Sequence, residues 1–291
     1  MRWSRLWLAG PVLAAMAAPA ALAASGTEVH AMWVWKSPAV LAQANAAENL
    51  RGFCQSNGIN EIYISVNGSM DATGQSRLDH LIAVLHAARI RVDALFSSTD
   101  ADEGGAHLEK LLSEVSAVET FDQKHLGEQF DGVHLDIEPQ QRPENKGTGN
   151  LAFLPGLVNA YTQVRALAAK GNLPVNADIQ TKLLKGDSDQ RKMLLTALPQ
   201  FTLMLYELSS PTDGQSAAAK TAKVQSESQN YLQMAADGLD ASALGRIGIG
   251  LRTPDYGDLL PQMLSALDAA NGTNTLYGGW ARHSYNDVLG Q

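Results

Sequence analysis

The stretch FDGVHLDIEP, residues 130–139, decides how the rest of the chain is read. Phe130, Val133, Leu135 and Ile137 are the apolar positions of a buried strand, and His134, Asp136 and Glu138 fall between them at every second residue. Alternate side chains of a strand point to one face, so the three ionisable groups share a face and Val133, Leu135 and Ile137 share the other. Burying such groups side by side is costly unless they are paired, bound to something or reactive. The pattern predicts either a functional column or an inert buried hydrogen-bond network.

Working outward, seven more strand-like runs accompany this one: HAMWVW (30–35), INEIYISVN (59–67), RVDALFSS (91–98), LPVNADIQ (173–180), FTLMLYEL (201–208), RIGIGLRTP (246–254) and NTLYGGWAR (274–282). Good helix formers at helical spacing fill the segments between, as in LDHLIAVLHAARI and GLVNAYTQVRALAAKG. Strands alternating with helices predict a parallel sheet, and eight repeats predict an α/β fold of one closed (β/α)8 TIM barrel. An open doubly wound sheet is the alternative, but no Gly-rich phosphate loop follows the first run. Little chain follows the eighth run, which predicts a short or missing last helix. In such a barrel catalytic groups gather at the C-terminal strand ends. Glu138 stands at one, just before Pro139 breaks the strand, with Asp136 and His134 deeper beneath it.

Residues 1–23 read as a secretory signal peptide. Arg2 and Arg5 open it, Leu6 to Ala18 form a short apolar core, and Ala21-Leu22-Ala23 offers a cleavage site. The expectation is a secreted or periplasmic protein with no stable membrane insertion, and residues 24–291 form a single domain. Cleavage leaves 268 of the 291 residues and lowers the basic count from 22 to 20 against 30 acidic residues, a net charge of −10. That balance argues against nucleic acid or an anionic membrane surface as partner and favours neutral or cationic ligands. Cys54 is the only cysteine, so an exported chain here folds without internal disulfides. A monomer is expected.

The central run resembles the signature of the family 18 glycoside hydrolases, the chitinases and endo-N-acetylglucosaminidases, which carry D-x-x-D-x-D-x-E on the fourth barrel strand. Asp131, His134, Asp136 and Glu138 occupy that frame, and three of the four positions match. The resemblance implies that Glu138 is the general acid and that Asp136 orients the substrate's acetamido group. The family's sixth strand often reads M-x-Y-D, and Met204, Leu205, Tyr206 and Glu207 stand there. Tyr206 would hold the acetamido carbonyl, while Glu207 keeps the charge at a changed length. On the eighth strand Gly278 and Gly279 match a Gly-Gly, but His283 stands near the family's Trp position and Trp280 comes three residues early. The family's S-x-G-G on the third strand is not visible.

Family 18 enzymes let the substrate's own acetamido oxygen attack, so the protein needs one acid and groups that hold the acetamide. By that resemblance the partner is a carbohydrate containing N-acetylhexosamine, and no cofactor or metal is called for. His134, where the family has Asp, is expected to donate to Asp136 and keep that carboxylate ionised. Among strand-end aromatics, Trp35, Tyr206 and Trp280 suit stacking on a pyranose. Asn176, Asp178 and Gln180 alternate on the fifth strand and, with Arg252 on the seventh, offer hydrogen bonds to hydroxyls. Asp131, Glu207 and His283 complete the substrate-binding set. Three alternatives stay open: a two-carboxylate hydrolase of another exopolysaccharide using Glu138 with Glu207 or Asp178, a non-catalytic carbohydrate-binding barrel, and a metal comb of His134, Asp136 and Glu138.

Overall fold

Runs of β-branched and aromatic residues bounded by Gly, Pro and Asn become the strands of the computed structural model, which describes residues 28–146, 151–240 and 242–290. The signal peptide expected over residues 1–23 lies outside the described residues. The strands are β1 (Val29–Val34), β2 (Glu61–Ser65), β3 (Arg91–Ser98), β4 (Gly132–Ile137), β5 (Val175–Gln180), β6 (Phe201–Met204), β7 (Ile247–Arg252) and β8 (Tyr277–His283). They pair in sequence order, and β8 closes on β1 in parallel register. Each coincides with one of the eight runs read from the sequence, so the fold is the expected (β/α)8 barrel.

The connecting helices are α1 (Ser37–Leu41), α2 (Ala46–Ser56), α3 (Ala72–Ala87), α4 (Gly105–Lys124), α5 (Leu154–Ala168), α6 (Thr181–Leu184), α7 (Ser188–Ala197), α8 (Ala217–Gly238), α9 (Thr253–Tyr256), α10 (Leu260–Asn271) and α11 (Tyr285–Val288). Parallel strands need such crossovers, because a tight turn cannot return the chain to the same end of the sheet. Polar residues set several helix starts. Asp71 accepts a hydrogen bond from the Gly74 amide at the head of α3, and Asp187 with Gln190 forms a capping box on α7. The helix after β8 is four residues long, the short ending that was expected.

Strand alternation divides the apolar residues into two sets. Val133, Leu135 and Ile137 face outward and join one large core with Val115 and Val118 of α4 and Leu157 and Val164 of α5. Each such fully buried side chain contributes about 1.5–3 kcal/mol. Inside the barrel Ala31, Trp33, Tyr63, Leu95 and Ala281 form a separate small cluster. The Trp33 indole crosses the interior from β1 to β5 and donates to Asp178 Oδ2 at 2.8 Å. Its path depends on Gly250 of β7, where a Cβ would meet the indole at 2.8 Å. We predict that Gly250→Ala costs about 1–3 kcal/mol by overpacking, measured as a lower urea midpoint with the slope unchanged.

The N-terminal floor of the barrel is strongly acidic. Glu61 and Asp93 are buried there, with Arg91 Nε 3.0 Å from Glu61 and an Arg91 terminal nitrogen 3.5 Å from Asp93. Burial and then the nearby Glu61 push Asp93 up to about 8, and the Arg91 charge offsets only part of this. Asp131 also belongs to this end. Its Oδ2 accepts from the Val92 amide at 2.7 Å and lies 2.9 Å from His86 Nε2. The expectation that Asp131 binds substrate is thereby corrected: it stands before β4 begins, at the end away from the mouth. Because the folded-state pKa of Asp93 is raised, its stabilising effect is full below the unfolded value near ~3.9 and is lost as pH climbs toward about 8. We therefore expect the unfolding temperature of Asp93→Asn to gain on that of wild type between pH 5 and pH 8, followed by scanning calorimetry.

Candidate active site

β4 carries His134, Asp136 and Glu138 up one face, and the barrel gives each a different depth. His134 is fully buried, Asp136 is 9% exposed, and Glu138 stands half-buried just past the strand end. The Glu138 amide donates to the Ser98 carbonyl at 2.8 Å, continuing the β3–β4 pairing by one step and fixing the residue over the mouth.

Three glutamine amides converge on one Glu138 oxygen. Oε1 accepts from Gln140 and Gln180 at 3.0 Å each and from Gln141 at 3.5 Å. The protein hydrogen bonds to this carboxyl among the described residues all fall on Oε1, so Oε2 remains for a ligand. Burial raises the Glu138 pKa, the Gln141 and Gln180 amides pull it back, and the Asp178 charge pushes it up again; the net is upward. Asp136 is held well above the usual carboxylate range by burial, then by Asp178 and by Glu138, and its Oδ1 has no hydrogen-bond partner. The upper column therefore holds protons more tightly than free carboxylates do.

His134 does not serve Asp136 as expected. Its Nε2 lies 2.9 Å from Asp178 Oδ1, although the two are not aligned for a hydrogen bond. Its ring stacks on Tyr63 with centroids 3.6 Å apart. The reason is positional: Asn176 of the neighbouring β5 is the register partner of His134. Asp178, two residues further along on the same face, brings its carboxyl against the ring, while Asp136 lies two residues up β4. Asp178, expected to bind sugar hydroxyls, is instead 2% exposed and held by Trp33. Asn176 sits lower still on β5, where its Oδ1 accepts from the neighbouring Ala177 amide at 2.8 Å. Of the three polar residues on β5, only Gln180 reaches the mouth, through Glu138.

The rim is built from β1, β6, β7 and β8. Trp35, one residue past β1, donates from Nε1 to His283 Nε2 at 3.1 Å. This bond requires the lone pair on Nε2, and burial in turn lowers the His283 pKa. Tyr206 meets His283 edge-on at 5.8 Å, and the Arg252 guanidinium lies 5.2 Å from the Tyr206 ring centre. Arg252 is anchored by Asp255 at 2.6 Å and comes within 3.7 Å of Glu207. Glu207 takes a left-handed backbone at φ 61°, and its side chain is 80% exposed.

Trp280 is not part of this rim. It is three residues from His283 on one strand, which puts the two on opposite faces. The Trp280 ring points out of the barrel, stacks on His30 at 4.2 Å and donates to Asp268 Oδ2 at 3.0 Å. The residues that the sequence left out are Trp33, Gln140, Gln141 and Asp255. Trp33 was within reach, since it lies two positions from Trp35 and so shares its face; the glutamines carry no periodic signal.

No protein-family model matches the chain, and no curated protein matches it. Among solved structures, a β-mannanase from the blue mussel Mytilus edulis aligns at a TM-score of 0.58 and 12% identity, covering 90% of this chain and 88% of that one. The PgaB (BpsB) glycoside hydrolase domain from Bordetella bronchiseptica aligns at 0.56 and 9%, covering 91% and 96%. A family 18 chitinase from Pseudoalteromonas aurantia aligns at 0.54 and 11%, covering 90% and 95%. At such identities the likeness is one of fold. The chain thus has, in divergent form, the (β/α)8 barrel fold that these glycoside hydrolases, a chitinase among them, share.

Proposed function

We propose that the barrel mouth hydrolyses glycosidic bonds in a glycan containing N-acetylhexosamine, with Glu138 as general acid. One observation carries this reading: a carboxyl at the C-terminal end of β4 with a raised pKa, one oxygen held by amides and the other without a protein partner. The proton on Glu138 passes to the glycosidic oxygen as its bond to the anomeric carbon breaks. Asp178 beneath is too buried to attack a sugar, and Asp136, with its edge just reaching the mouth, is placed to hold a substituent. This favours attack by the substrate's acetamido oxygen and an oxazolinium intermediate. Asp136 and Tyr206 hold the acetamido group in this scheme. Water then opens the intermediate while the Glu138 carboxylate takes the water's proton, restoring the acid.

Trp35, Tyr206 and His283 offer ring surfaces to the sugar, and Arg252 a donor on the rim. The like-folded proteins are a chitinase, a glycoside hydrolase domain and a mannanase, which agrees with a carbohydrate substrate. The N-terminal leader supports export, so the substrate is met in a periplasm or outside the cell, and the enzyme acts as a monomer.

A two-carboxylate route is the second reading, and the exposure of Glu207 at the rim favours it. Asp178, the other candidate partner, is bound by Trp33 and shielded from the mouth. The test compares wild type, Glu138→Gln and Glu207→Gln on chitin oligomers, partly deacetylated glucosamine polymers and plain glucans, scoring new reducing ends. We expect cleavage of acetamido sugars, an activity loss of about 10²–10⁴-fold in Glu138→Gln, and near-wild-type rates in Glu207→Gln. Cleavage confined to plain glucans and abolished in both variants would move the assignment to the two-carboxylate route. Binding without cleavage by wild type would leave a carbohydrate-binding barrel.

The glutamine amides supply a second check. An amide donating to the ionised carboxylate lowers its pKa, so losing one raises it. The acid must be protonated to act, and its activity fades as pH rises through that pKa. We expect Gln180→Leu to move the alkaline limb of the kcat profile to higher pH; an unmoved limb would count against Glu138 as the acid.

A further inference from the structure

The seam where β8 closes on β1 holds a polar cluster that the mouth does not use. His30 faces outward near the start of β1, at the end of the barrel opposite Glu138. Its Nδ1 lies 3.1 Å from the Gly58 carbonyl, placed to donate. In the neutral ring Nε2 then carries the lone pair, and it faces Asp268 Oδ2 at 3.3 Å and Glu28 Oε2 at 3.8 Å. That nitrogen is shut off from solvent and makes no well-formed hydrogen bond. A lone pair aimed at two carboxylates is repulsive, and either a second ring proton or a cation among the three groups relieves it.

Several features favour the cation. Ligands about 2.0–2.1 Å from a tetrahedral zinc stand about 3.3 Å from one another, the spacing of His30 and Asp268. Glu28, at 3.8 Å from His30, needs only a small inward turn of its partly exposed side chain. The ligand atoms of Glu28, His30 and Asp268 all lie within 4.8 Å of one another. Asp268 is oriented by Tyr277, whose hydroxyl donates to Oδ1 at 2.8 Å, and by Trp280, which donates to Oδ2 at 3.0 Å. With the Gly58 carbonyl on His30, each of these two ligands has the kind of outer partner that fixes metal ligands. A ring proton would satisfy the pair with Asp268 and leave Glu28 and one net negative charge over, whereas a divalent cation offsets both carboxylates.

We propose that Glu28, His30 and Asp268 bind a divalent cation of the zinc type, which clips the start of β1 to α10. An imidazole with two carboxylates suits such a metal, and the partly exposed Glu28 gives it a way in. His30 pairs with Trp280 in the β1–β8 register, and Tyr277 and Trp280 of β8 donate to Asp268, so the ion would brace the seam from its α10 side. The site is independent of the glycan chemistry and is tested apart from it.

The experiment titrates ZnCl₂ into tag-free, chelator-stripped protein at pH 7.5 by calorimetry, with thermal unfolding in parallel. The expected result is one equivalent bound and an unfolding midpoint that climbs with zinc concentration. Glu28→Gln, at a partly exposed position, should weaken binding at least tenfold, and Tyr277→Phe by about 10–100-fold. Binding that is absent at millimolar zinc, or undiminished in both variants, would overturn the proposal. So would a midpoint that ignores zinc but rises as pH falls through the histidine range. Burial alone would depress the His30 pKa, but pairing with Asp268 outweighs it and raises the value. A doubly protonated ring would therefore stabilise the fold below the free histidine value and lose that effect as pH climbs through its own.

Discussion

Closing eight parallel strands on themselves sends every second side chain of each strand into one narrow interior. In this chain that constraint collects Glu61, Asp93, Asp136 and Asp178 inside a single wall, with the half-buried Glu138 above them. Arg91 stands at the floor and Arg252 at the rim, and among the described residues no guanidinium or ammonium pairs with Asp136 or Asp178 between them. The interior therefore relies on protons and neutral donors to carry its acids. Trp33 and the three glutamines are those donors, and the raised pKa values of Asp93, Asp136 and Glu138 are the protons.

The Trp33 indole ties this together mechanically. It crosses from β1 to Asp178 on β5, fits only because β7 offers Gly250, and meets Tyr63 edge-on at 5.5 Å. Tyr63 in turn stacks on His134, so one aromatic layer supports the column beneath Asp136. A cavity here would let water reach the buried carboxyls and relax their raised pKa values. The apolar cluster and the acid column are thus one device: the first keeps the second dry.

The outer layer is built differently. There β4 presents Val133, Leu135 and Ile137 to α4 and α5, and stability comes from area removed from water. One exception is the β1–β8 seam, where His30, Trp280 and Asp268 form a polar knot between sheet and helix. The seam is also where the β7–β8 register shifts, between Ile247 and Gly248, as the strands complete the circle.

Strand number, order and the face of His134, Asp136 and Glu138 were legible because period-two alternation and helix-forming spacers are local properties. The same rule, applied further, separates Trp280 from His283 and puts Trp33 with Trp35, so those positions were legible too. Asp131 precedes His134 by three residues, on the other face and nearer the strand's start, which local pattern also encodes. Other features were not local at all. Asp178 drawing His134 away from Asp136, and Gln180 reaching Glu138, depend on which strands stand beside or across from each other in a closed sheet. Sequence periodicity determined which side chains enter the barrel. Only closure decided which of them meet, because contacts across an interior depend on register and depth, which no single strand carries.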